Sequence, residues 1–291
     1  RNNFMCVTAA MEIGTGLSEY TDKYPDRYID VGIAEGHAIT YSAGLSSAGI
    51  LPIVPIYSTF MQRAYDNIIH DFALQSLPGI FCLDRAGLVG NDGPTHHGVF
   101  DISFMSSIPK MIVFAPKDGN ELADILFTAI KNKLFISIRY PKSNTLYDFG
   151  RKPQLIDLGT WEVLNKGTTI CVLACGSMVD ICLKSVQMIN DNCNLKVSLI
   201  NCRFIKPFDE ELLNELIENH DNFITVEEGL ISGGFGSQIL NYFSKKNITK
   251  KIIVLGINDE FSDHGTRKEL LKDLSLDSES IFNIIKKLIV K

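Results

Sequence analysis

The chain has 291 residues, of which 45% are hydrophobic and 21% are charged, and it carries a net charge of -6 at pH 7. This apolar content is enough for about two domains of ordinary size, and it excludes intrinsic disorder. The acidic balance argues against a nucleic-acid-binding surface, and the apolar runs fall short of the roughly 18 residues of a membrane span, so we expect a soluble cytoplasmic protein.

Seven cysteines are scattered along the chain without a C-x-x-C pair, and several lie within apolar runs that resemble strands. The odd number and irregular spacing favour free, buried thiols over disulfides or a zinc site. The sequence therefore predicts no metal ligands.

Short β-branched or aromatic runs alternate with amphipathic stretches throughout, which is the pattern of βα units in mainly parallel sheets. We predict an α/β fold with two doubly wound domains, at residues 1–150 and 151–291. Strands of the first domain are predicted at residues 4–8, 28–31, 52–56, 80–84, 111–115 and 135–139, and helices at 35–48, 59–73 and 120–131.

Residues 140–157 are rich in Pro, Lys and Asp and are interpreted as the linker between the two domains. The βα pattern then resumes. Strands of the second domain are predicted at residues 169–174, 196–200, 222–226 and 251–255, and helices at 178–190, 210–220, 234–243 and 278–290.

The first candidate site is the segment DVGIAEGHA at residues 30–38, where a strand ends and a lone carboxylate, Glu35, begins a helix. A glutamate in a first helical turn is favoured by the helix dipole and needs no further role. Alternatively, its apolar neighbours form a pocket in which the carboxyl group shares a proton with a ligand nitrogen.

The next predicted helix places Phe60, Arg63, Asn67 and His70 at three- and four-residue spacing, and therefore on one face, with Tyr57 just before it. Phe60 could be a core residue and Arg63 could pair with a nearby aspartate. A face that combines an aromatic ring, a cation and an amide is nevertheless more typical of a binding site.

A long polar loop follows the predicted strand 80–84 and contains Arg85, Asp92, His96 and His97 among several glycines. Glycines allow backbone amides to approach a ligand closely, Arg85 can bind a phosphate or carboxylate, and His96 can transfer protons. Adjacent histidines cannot face one site in regular structure, so a metal site is disfavoured.

In the second half, VEEGLISGGFGS at residues 226–237 follows a strand and opens a helix, in the manner of an anion-binding turn. It lacks the G-x-G-x-x-G spacing, and we favour a structural tight turn. We interpret His264 as a loop or capping residue.

Four segments together resemble the 1-deoxy-D-xylulose-5-phosphate synthase family of the transketolase group: DVGIAEGHA (30–38), IYSTFMQRAYDNIIHD (56–71), DRAGLVGNDGPTHHGVFD (84–101) and RFIKPFDE (203–210). The resemblance covers essentially the whole chain. It implies a domain that binds the aminopyrimidine of thiamine diphosphate, followed by a transketolase C-terminal domain. The implied reaction condenses pyruvate with D-glyceraldehyde 3-phosphate.

The resemblance also implies the role of each site residue. Glu35 matches a catalytic glutamate that hydrogen-bonds the pyrimidine ring nitrogen, and Phe60 matches the aromatic residue that stacks on this ring, with Tyr57 beside it. The substrate-binding residues it implies are Arg63, Arg85 and Arg139 at the phosphate, and Asp92 and His96 at the hydroxyl and carbonyl region, where His96 is also catalytic.

The family's diphosphate-binding domain, with its G-D-G motif, is missing from this sequence. We therefore expect a fragment that is inactive alone, with the Mg²⁺ ligands elsewhere, and a homodimer as in the family. Two alternatives stay open. The chain could be a separate subunit of a split transketolase or 2-oxo-acid dehydrogenase, or a non-catalytic interaction subunit.

Overall fold

The computed structural model describes residues 3–145, 147–193 and 195–289, which fold into two open β-sheets flanked by helices. Most neighbouring strands are parallel. The predicted α/β fold with mainly parallel sheets is therefore confirmed.

The first half alternates strands with helices. Its elements are β1 (Phe4–Thr8), α1 (Ser18–Lys23), β2 (Tyr28–Asp30), α2 (Glu35–Ser47), β3 (Leu51–Tyr57), α3 (Ser58–Met61), α4 (Tyr65–Asn67), β4 (Gly79–Asp84), α5 (Asp101–Ser107), β5 (Ile112–Phe114), α6 (Gly119–Asn132) and β6 (Phe135–Arg139). A 3₁₀ turn joins α3 to α4, and a π-helical segment, Ile68–Ala73, continues the same rod.

The second half continues with β7 (Glu162–Asn165), β8 (Thr169–Ala174), α7 (Met178–Cys193), β9 (Ser198–Asn201), β10 (Phe204–Lys206), α8 (Glu210–Asn219), β11 (His220–Leu230), α9 (Phe235–Lys245), β12 (Lys251–Ile257), α10 (Arg267–Asp273) and α11 (Ser278–Ile289). Its sheet has the order β12-β11-β8-β9-β7, with β7 antiparallel. The helix predicted to end at Val290 is described to Ile289, and Val290 lies outside the described residues.

The first sheet has the order β10-β5-β6-β4-β3-β1-β2. The predicted site residues lie near the carboxyl ends of its parallel strands. In this parallel array Tyr57 at the end of β3 is the register partner of Asp84 at the end of β4. Loops that leave the carboxyl ends of parallel strands meet at the same edge, where open α/β sheets bind their ligands.

Strand β10 joins the two halves, because it belongs to the second half in sequence but pairs antiparallel with β5 at the edge of the first sheet. The rings of Phe114 and Phe204 pack edge to face with centroids 4.7 Å apart, and both side chains are fully buried. Burial of a Phe side chain stabilises a fold by roughly 1.5–3 kcal/mol. The halves therefore share one hydrophobic core.

The longer predicted elements are observed with ends that shift by a few residues. The elements that were not predicted are α1, α5, β7, β10 and α10, which are 3 to 7 residues long. A capping box between Thr266 and Glu269 begins α10, and its T-x-x-E pattern is visible in the sequence. Short elements carry too few periods of hydrophobicity to be recognised from pattern alone.

The predicted linker is irregular and lies along α6. Arg151 forms two hydrogen bonds with Asp124, of 2.8 and 2.7 Å, and the Ile156 amide donates to Thr128 Oγ1. Leu146, inside this segment, lies outside the described residues.

All seven cysteines are free, and six are buried. Burial raises the pKa of the Cys6 thiol to about 11 and that of Cys82 to about 12. Among the described residues, no helix has the length and apolar character needed to cross a membrane.

Candidate active site

Glu35 begins α2 and is 3% exposed. The turn before it is shaped by Asp30, whose Oδ1 accepts hydrogen bonds from the amides of Gly32 (2.9 Å) and Ala10 (2.8 Å), and Gly32 has a φ of +73°. This turn places the N-terminus of α2, with the Glu35 carboxylate, near the carboxyl ends of the strands. The helix dipole stabilises a negative charge there.

Arg63 brings Glu35 and Phe60 together. Its Nη1 donates to Glu35 Oε1 at 2.7 Å, and its guanidinium carbon lies 4.9 Å from the centre of the Phe60 ring. The guanidinium is a flat group with N–H donors that touches a carboxylate and an aromatic face at once. The two residues predicted to hold the pyrimidine therefore contact the same guanidinium.

The rings of Tyr57 and Phe60 together form an arrangement that we call the aromatic row. The Tyr57 ring stacks on Phe60 with centroids 5.9 Å apart and an interplanar angle of 18°, and the guanidinium carbon of Arg85 lies 3.7 Å from its centre. The His96 ring also contacts Phe60, with centroids 5.4 Å apart in an edge-on arrangement. Each of the two rings thus has one guanidinium over it, Arg85 on Tyr57 and Arg63 on Phe60.

Arg85 follows β4 directly and has a φ of +59°. Its Nη1 donates to the carbonyl of Gly14 at 2.9 Å and to Asp84 Oδ1 at 3.2 Å. Burial raises the pKa of Asp84, and the neighbouring Arg85 opposes that rise. The guanidinium is therefore fixed by two acceptors and one ring.

Residues 85–98 form a closed loop, called the glycine loop below. The amides and carbonyls of Gly87 and Gly98 exchange two hydrogen bonds at its base, of 2.7 and 2.8 Å. The two histidines diverge, as expected for adjacent residues. His96 faces Phe60, whereas His97 is 3% exposed and bonds to the Val89 amide and the Asp263 carbonyl.

The far end of the glycine loop holds an ion pair that the sequence did not reveal. Asp92 Oδ2 accepts from Lys142 Nζ at 2.7 Å, with the side chains 35% and 49% exposed. The hydrogen bond from Lys142 lowers the pKa of Asp92, and His96 and Arg85 lower it further. Lys142 follows the end of β6 by three residues. This position, just beyond the carboxyl end of a strand, is the only signal in the sequence that could have marked Lys142 as a site residue.

Arg139 is buried and bonded to protein groups. Its side chain is 4% exposed, its Nε donates to Asp101 Oδ2 at 2.8 Å, and its Nη2 donates to the Glu228 carbonyl at 3.0 Å. The pair with Asp101 offsets the burial of the guanidinium and keeps its pKa raised. The guanidinium that was predicted to bind a phosphate is therefore already bonded to protein groups.

The glycines of the loop approach the second half of the chain. A Cβ atom on Gly87 would lie 2.7 Å from Glu228 Cδ, one on Gly90 would lie 3.2 Å from the Gly265 carbonyl, and one on Gly93 would lie 3.3 Å from His264 Cβ. The close approach that we assigned to a ligand is, at these positions, made by the second half of the chain. Glycine is favoured there because all three residues have positive φ values, of +79°, +73° and +76°, and because a Cβ atom on Gly87 would clash with Glu228.

The turn at residues 226–237 is also occupied by protein. Glu227 Oε2 accepts from the Phe235 amide and Oε1 from the Gly236 amide, each at 2.8 Å, so this carboxylate caps α9. Burial raises the pKa of Glu227 to about 8. The structural interpretation of this turn agrees with the contacts.

Two cavities lie outside the aromatic row. One of about 780 Å³ separates residues 116–119 and 140–145 from the start of α7. Another, of about 300 Å³, adjoins Asp92, Lys142 and Arg267. Within the described ranges, no cluster of three or more His, Cys, Asp or Glu side chains is arranged to hold a metal ion.

The arrangement can bind a flat nitrogen heterocycle and an anion side by side. A buried carboxylate next to an aromatic face suits the heterocycle, and the exposed cations Arg63 and Lys142, with Arg85, suit a phosphate or carboxylate. His96, between them, can accept or donate a proton.

Two family models match the two halves of the chain. A model described as the transketolase pyrimidine-binding domain matches residues 1–146, and one described as the transketolase C-terminal domain matches residues 159–281. The chain is 45% identical over 277 residues to the 1-deoxy-D-xylulose-5-phosphate synthase of Aquifex aeolicus. The aligned region covers 95% of this chain and 44% of that protein. The Clostridium tetani synthase is 44% identical over 98% of this chain and 46% of its own length.

Solved structures show the same fold. A chain titled as an inactive beta4 tetramer of a split-gene transketolase superposes with a TM-score of 0.88 and 25% identity, over 99% of this chain and 92% of that one. The transketolase of Campylobacter jejuni gives a TM-score of 0.78 at 18% identity, over 98% of this chain and 44% of that one. The chain thus spans less than half the length of the synthases it matches.

Proposed function

Because this chain belongs to the transketolase family, we propose that it is the pyrimidine-binding and C-terminal portion of a thiamine-diphosphate-dependent 1-deoxy-D-xylulose-5-phosphate synthase. The proposed reaction joins pyruvate to D-glyceraldehyde 3-phosphate and releases carbon dioxide. Identity near 45% to synthases supports this choice. We propose residues 1–150 as the pyrimidine-binding domain and 151–291 as the C-terminal domain.

The observation that carries the proposal is the contact of one guanidinium with both Glu35 and Phe60. An aminopyrimidine, like a guanidinium, is flat and bears N–H groups, so the residues present fit it. Thiamine diphosphate supplies the electron sink needed for decarboxylation. In this proposal Glu35 holds the proton at the pyrimidine ring nitrogen, while Phe60 and Tyr57 orient the ring.

The acceptor's phosphate would be held by cations around the glycine loop. We assign this role to Arg63, Arg85 and Lys142, which lie close to the aromatic row or to Asp92. Asp92 and His96 would then face the acceptor's hydroxyl and carbonyl groups, where His96 moves a proton. A clamp of several cations supplies local attraction in a chain of net negative charge.

The assignment of Arg139 to the phosphate stays a prediction that its surroundings do not favour. Its guanidinium would have to leave Asp101 and expose a buried carboxylate. Lys142, in the segment that follows β6, is the more accessible cation.

The remaining parts of the proposal concern the longer protein. Ile33 lies two residues before Glu35, and Ile13 precedes Gly14, whose carbonyl accepts from Arg85. They are 83% and 86% exposed, which is consistent with a face that further protein covers. We propose that this further portion binds the diphosphate and Mg²⁺, and that the complete enzyme is a cytoplasmic homodimer.

A second candidate is a separate subunit of a split transketolase. It is favoured by the length of the split-gene chain, 92% of which is matched here. The two candidates differ in reaction, since a transketolase transfers a two-carbon unit between sugars and does not release carbon dioxide from pyruvate.

The test is to assay the complete polypeptide with pyruvate and D-glyceraldehyde 3-phosphate and to measure carbon dioxide and 1-deoxy-D-xylulose 5-phosphate. We expect E35Q to lower kcat at least about 100-fold, since acid–base groups contribute that much. D66N, at a residue whose side chain is 82% exposed, is the control and should leave kcat unchanged. Two-carbon transfer between sugars without carbon dioxide would overturn the proposal in favour of the second candidate.

Calorimetry gives a second measurement on the chain itself. We expect weak or no binding of thiamine diphosphate to these 291 residues alone, and tight binding once the diphosphate-binding portion is present.

A further inference from the structure

We propose that Glu228 is a positioning residue, through which the second half of the chain holds the glycine loop in the place where it presents Arg85, Asp92 and His96. This inference rests on the function proposed above, and it gives the C-terminal domain a part in binding the acceptor. It concerns a residue that lies outside the aromatic row.

The carboxylate of Glu228 is fully buried and all its acceptor positions are used. Oε1 accepts from the Leu88 amide and from Arg267 Nε, each at 2.9 Å. Oε2 accepts from Ser177 Oγ at 2.6 Å and from Arg267 Nη2 at 2.5 Å. Because removing either oxygen would leave buried donors without a partner, these four contacts fix the carboxylate in one orientation.

One of these donors belongs to the glycine loop. The Leu88 amide comes three residues after Arg85, and the preceding Gly87 packs directly on the side chain, since a Cβ there would lie 2.8 Å from Glu228 Cγ. The loop therefore meets Glu228 through a hydrogen bond and through van der Waals contact. It cannot move toward the second half of the chain without a clash, nor away from it without losing the bond.

The next amide in the loop, that of Val89, is also hydrogen-bonded. The Val89 amide donates to His97 Nδ1 at 3.1 Å, so this nitrogen is the acceptor and the proton is on Nε2. Nε2 then donates to the carbonyl of Asp263 at 3.0 Å. Two consecutive amides in the middle of the loop are thus tied to the second half, one directly and one through His97.

The consequence for function follows from what the loop carries. Arg85 precedes the anchored amides, while Asp92 and His96 follow them. Loosening the anchor should therefore weaken the acceptor's binding more than it slows the chemistry at Glu35, which lies on α2. Small errors in the placement of binding groups are expensive in affinity.

Glu227 provides a matched control. It is the adjacent residue on β11 and equally buried, but its carboxylate caps α9 and is not bonded to the loop. E227Q and E228Q both replace a buried carboxyl group by an isosteric amide. Only E228Q should affect the loop.

The first measurement is amide hydrogen exchange on the 291-residue chain, which does not depend on any reaction. In E228Q we expect the Leu88 amide to exchange about tenfold faster, as the loss of a bond to a charged group implies. E227Q should leave it unchanged. S177A, which removes one neutral donor to Glu228, should give a smaller effect in the same direction if E228Q does not fold.

The second measurement is steady-state kinetics of the complete enzyme. E228Q should lower kcat/KM for D-glyceraldehyde 3-phosphate about tenfold, since Arg85 and Asp92 act in binding and His96 in proton transfer, while the KM for pyruvate should stay within about twofold. E227Q should change neither quantity. Equal loop exchange in the two variants, or an unchanged kcat/KM for the acceptor in E228Q, would overturn the inference. If the enzyme proves to have another activity, the exchange measurement still decides whether Glu228 holds the loop.

Discussion

Glu35 and Arg63 form an ion pair of unequal partners: their nearest atoms are 2.7 Å apart, but the carboxylate is 3% exposed and the guanidinium 58% exposed. The carboxylate is fixed at the first turn of α2, whereas the guanidinium reaches it from the neighbouring helical segment and lies over the Phe60 ring. Arg63 can therefore move into solvent, and Glu35 cannot.

This asymmetry predicts the effect of R63Q on stability. Without Arg63 the buried carboxylate loses its charged partner, so we expect the free energy of unfolding to fall by about 1–2 kcal/mol, a value reduced from that of a fully buried pair because Arg63 is solvated. Urea denaturation measures it. K184Q breaks an ion pair in which both side chains are more than 60% exposed and should change stability by less than about 0.5 kcal/mol. Equal losses in the two variants would refute the asymmetry.

Arg139 and Lys142 should respond differently to the same substitution. R139Q leaves Asp101 unpaired in the interior, and we expect it to reduce the free energy of unfolding by about 3–5 kcal/mol. K142Q should be nearly neutral for stability but raise the acceptor's KM about tenfold, because an exposed cation near Asp92 is lost. A folded R139Q enzyme with a raised acceptor KM and unchanged stability would instead support a phosphate role for Arg139.

Stability should depend on pH through Glu227, whose pKa burial raises from the ordinary 4.5 to about 8. Between these values the native state keeps the proton and the unfolded state releases it. The free energy of unfolding should therefore fall as pH rises through this window, by about 1.4 kcal/mol per pH unit from this group. Urea denaturation at about pH 5.5 and about pH 7.5 should show a steeper decline for the natural chain than for E227Q. Parallel declines would assign the pH dependence to other groups.

Gly87 should tolerate substitution less well than Gly49, although both have positive φ values, +79° and +83°. G49A introduces backbone strain in open space and should lower the free energy of unfolding by about 1–2 kcal/mol. G87A adds a clash with the Glu228 side chain, and we expect about 1–3 kcal/mol more. In a double-mutant cycle, G87A should cost less in an E228A background than in the natural chain, since alanine at 228 removes the atoms that clash. An equal cost in both backgrounds would mean that the strain lies in the backbone alone.

Much of the fold could be predicted because its signals are local. Runs such as residues 80–84 are apolar and β-branched enough to indicate buried strands, and Phe60 and Arg63 fall on one face of a helix at any tertiary arrangement. The position of Glu35 at a helix start in an apolar segment could be predicted in the same way, whereas the role proposed for it came from the family resemblance. These features follow from backbone geometry and hydrophobic period over a few residues.

The partners of the charged groups could not be predicted. The ion pair between Arg139 and Asp101 spans 38 residues and that between Lys142 and Asp92 spans 50, and each depends on which strand exits meet. The glycines at 87, 90 and 93 suggested a ligand, yet their neighbours belong to the second half of the chain. Nothing within the loop distinguishes these two reasons for lacking a side chain.

The sequence by itself determined the alternation of strands and helices, and it placed Glu35, Phe60 and Arg85 just beyond the ends of predicted strands, because these features depend on short-range pattern and residue type. Only the tertiary structure decided that β10 completes the first sheet, that Arg139 is buried against Asp101, and that Glu228 meets the glycine loop. Such contacts join residues far apart in the chain, and their existence depends on strand order and on the packing of one half against the other, which no local propensity encodes.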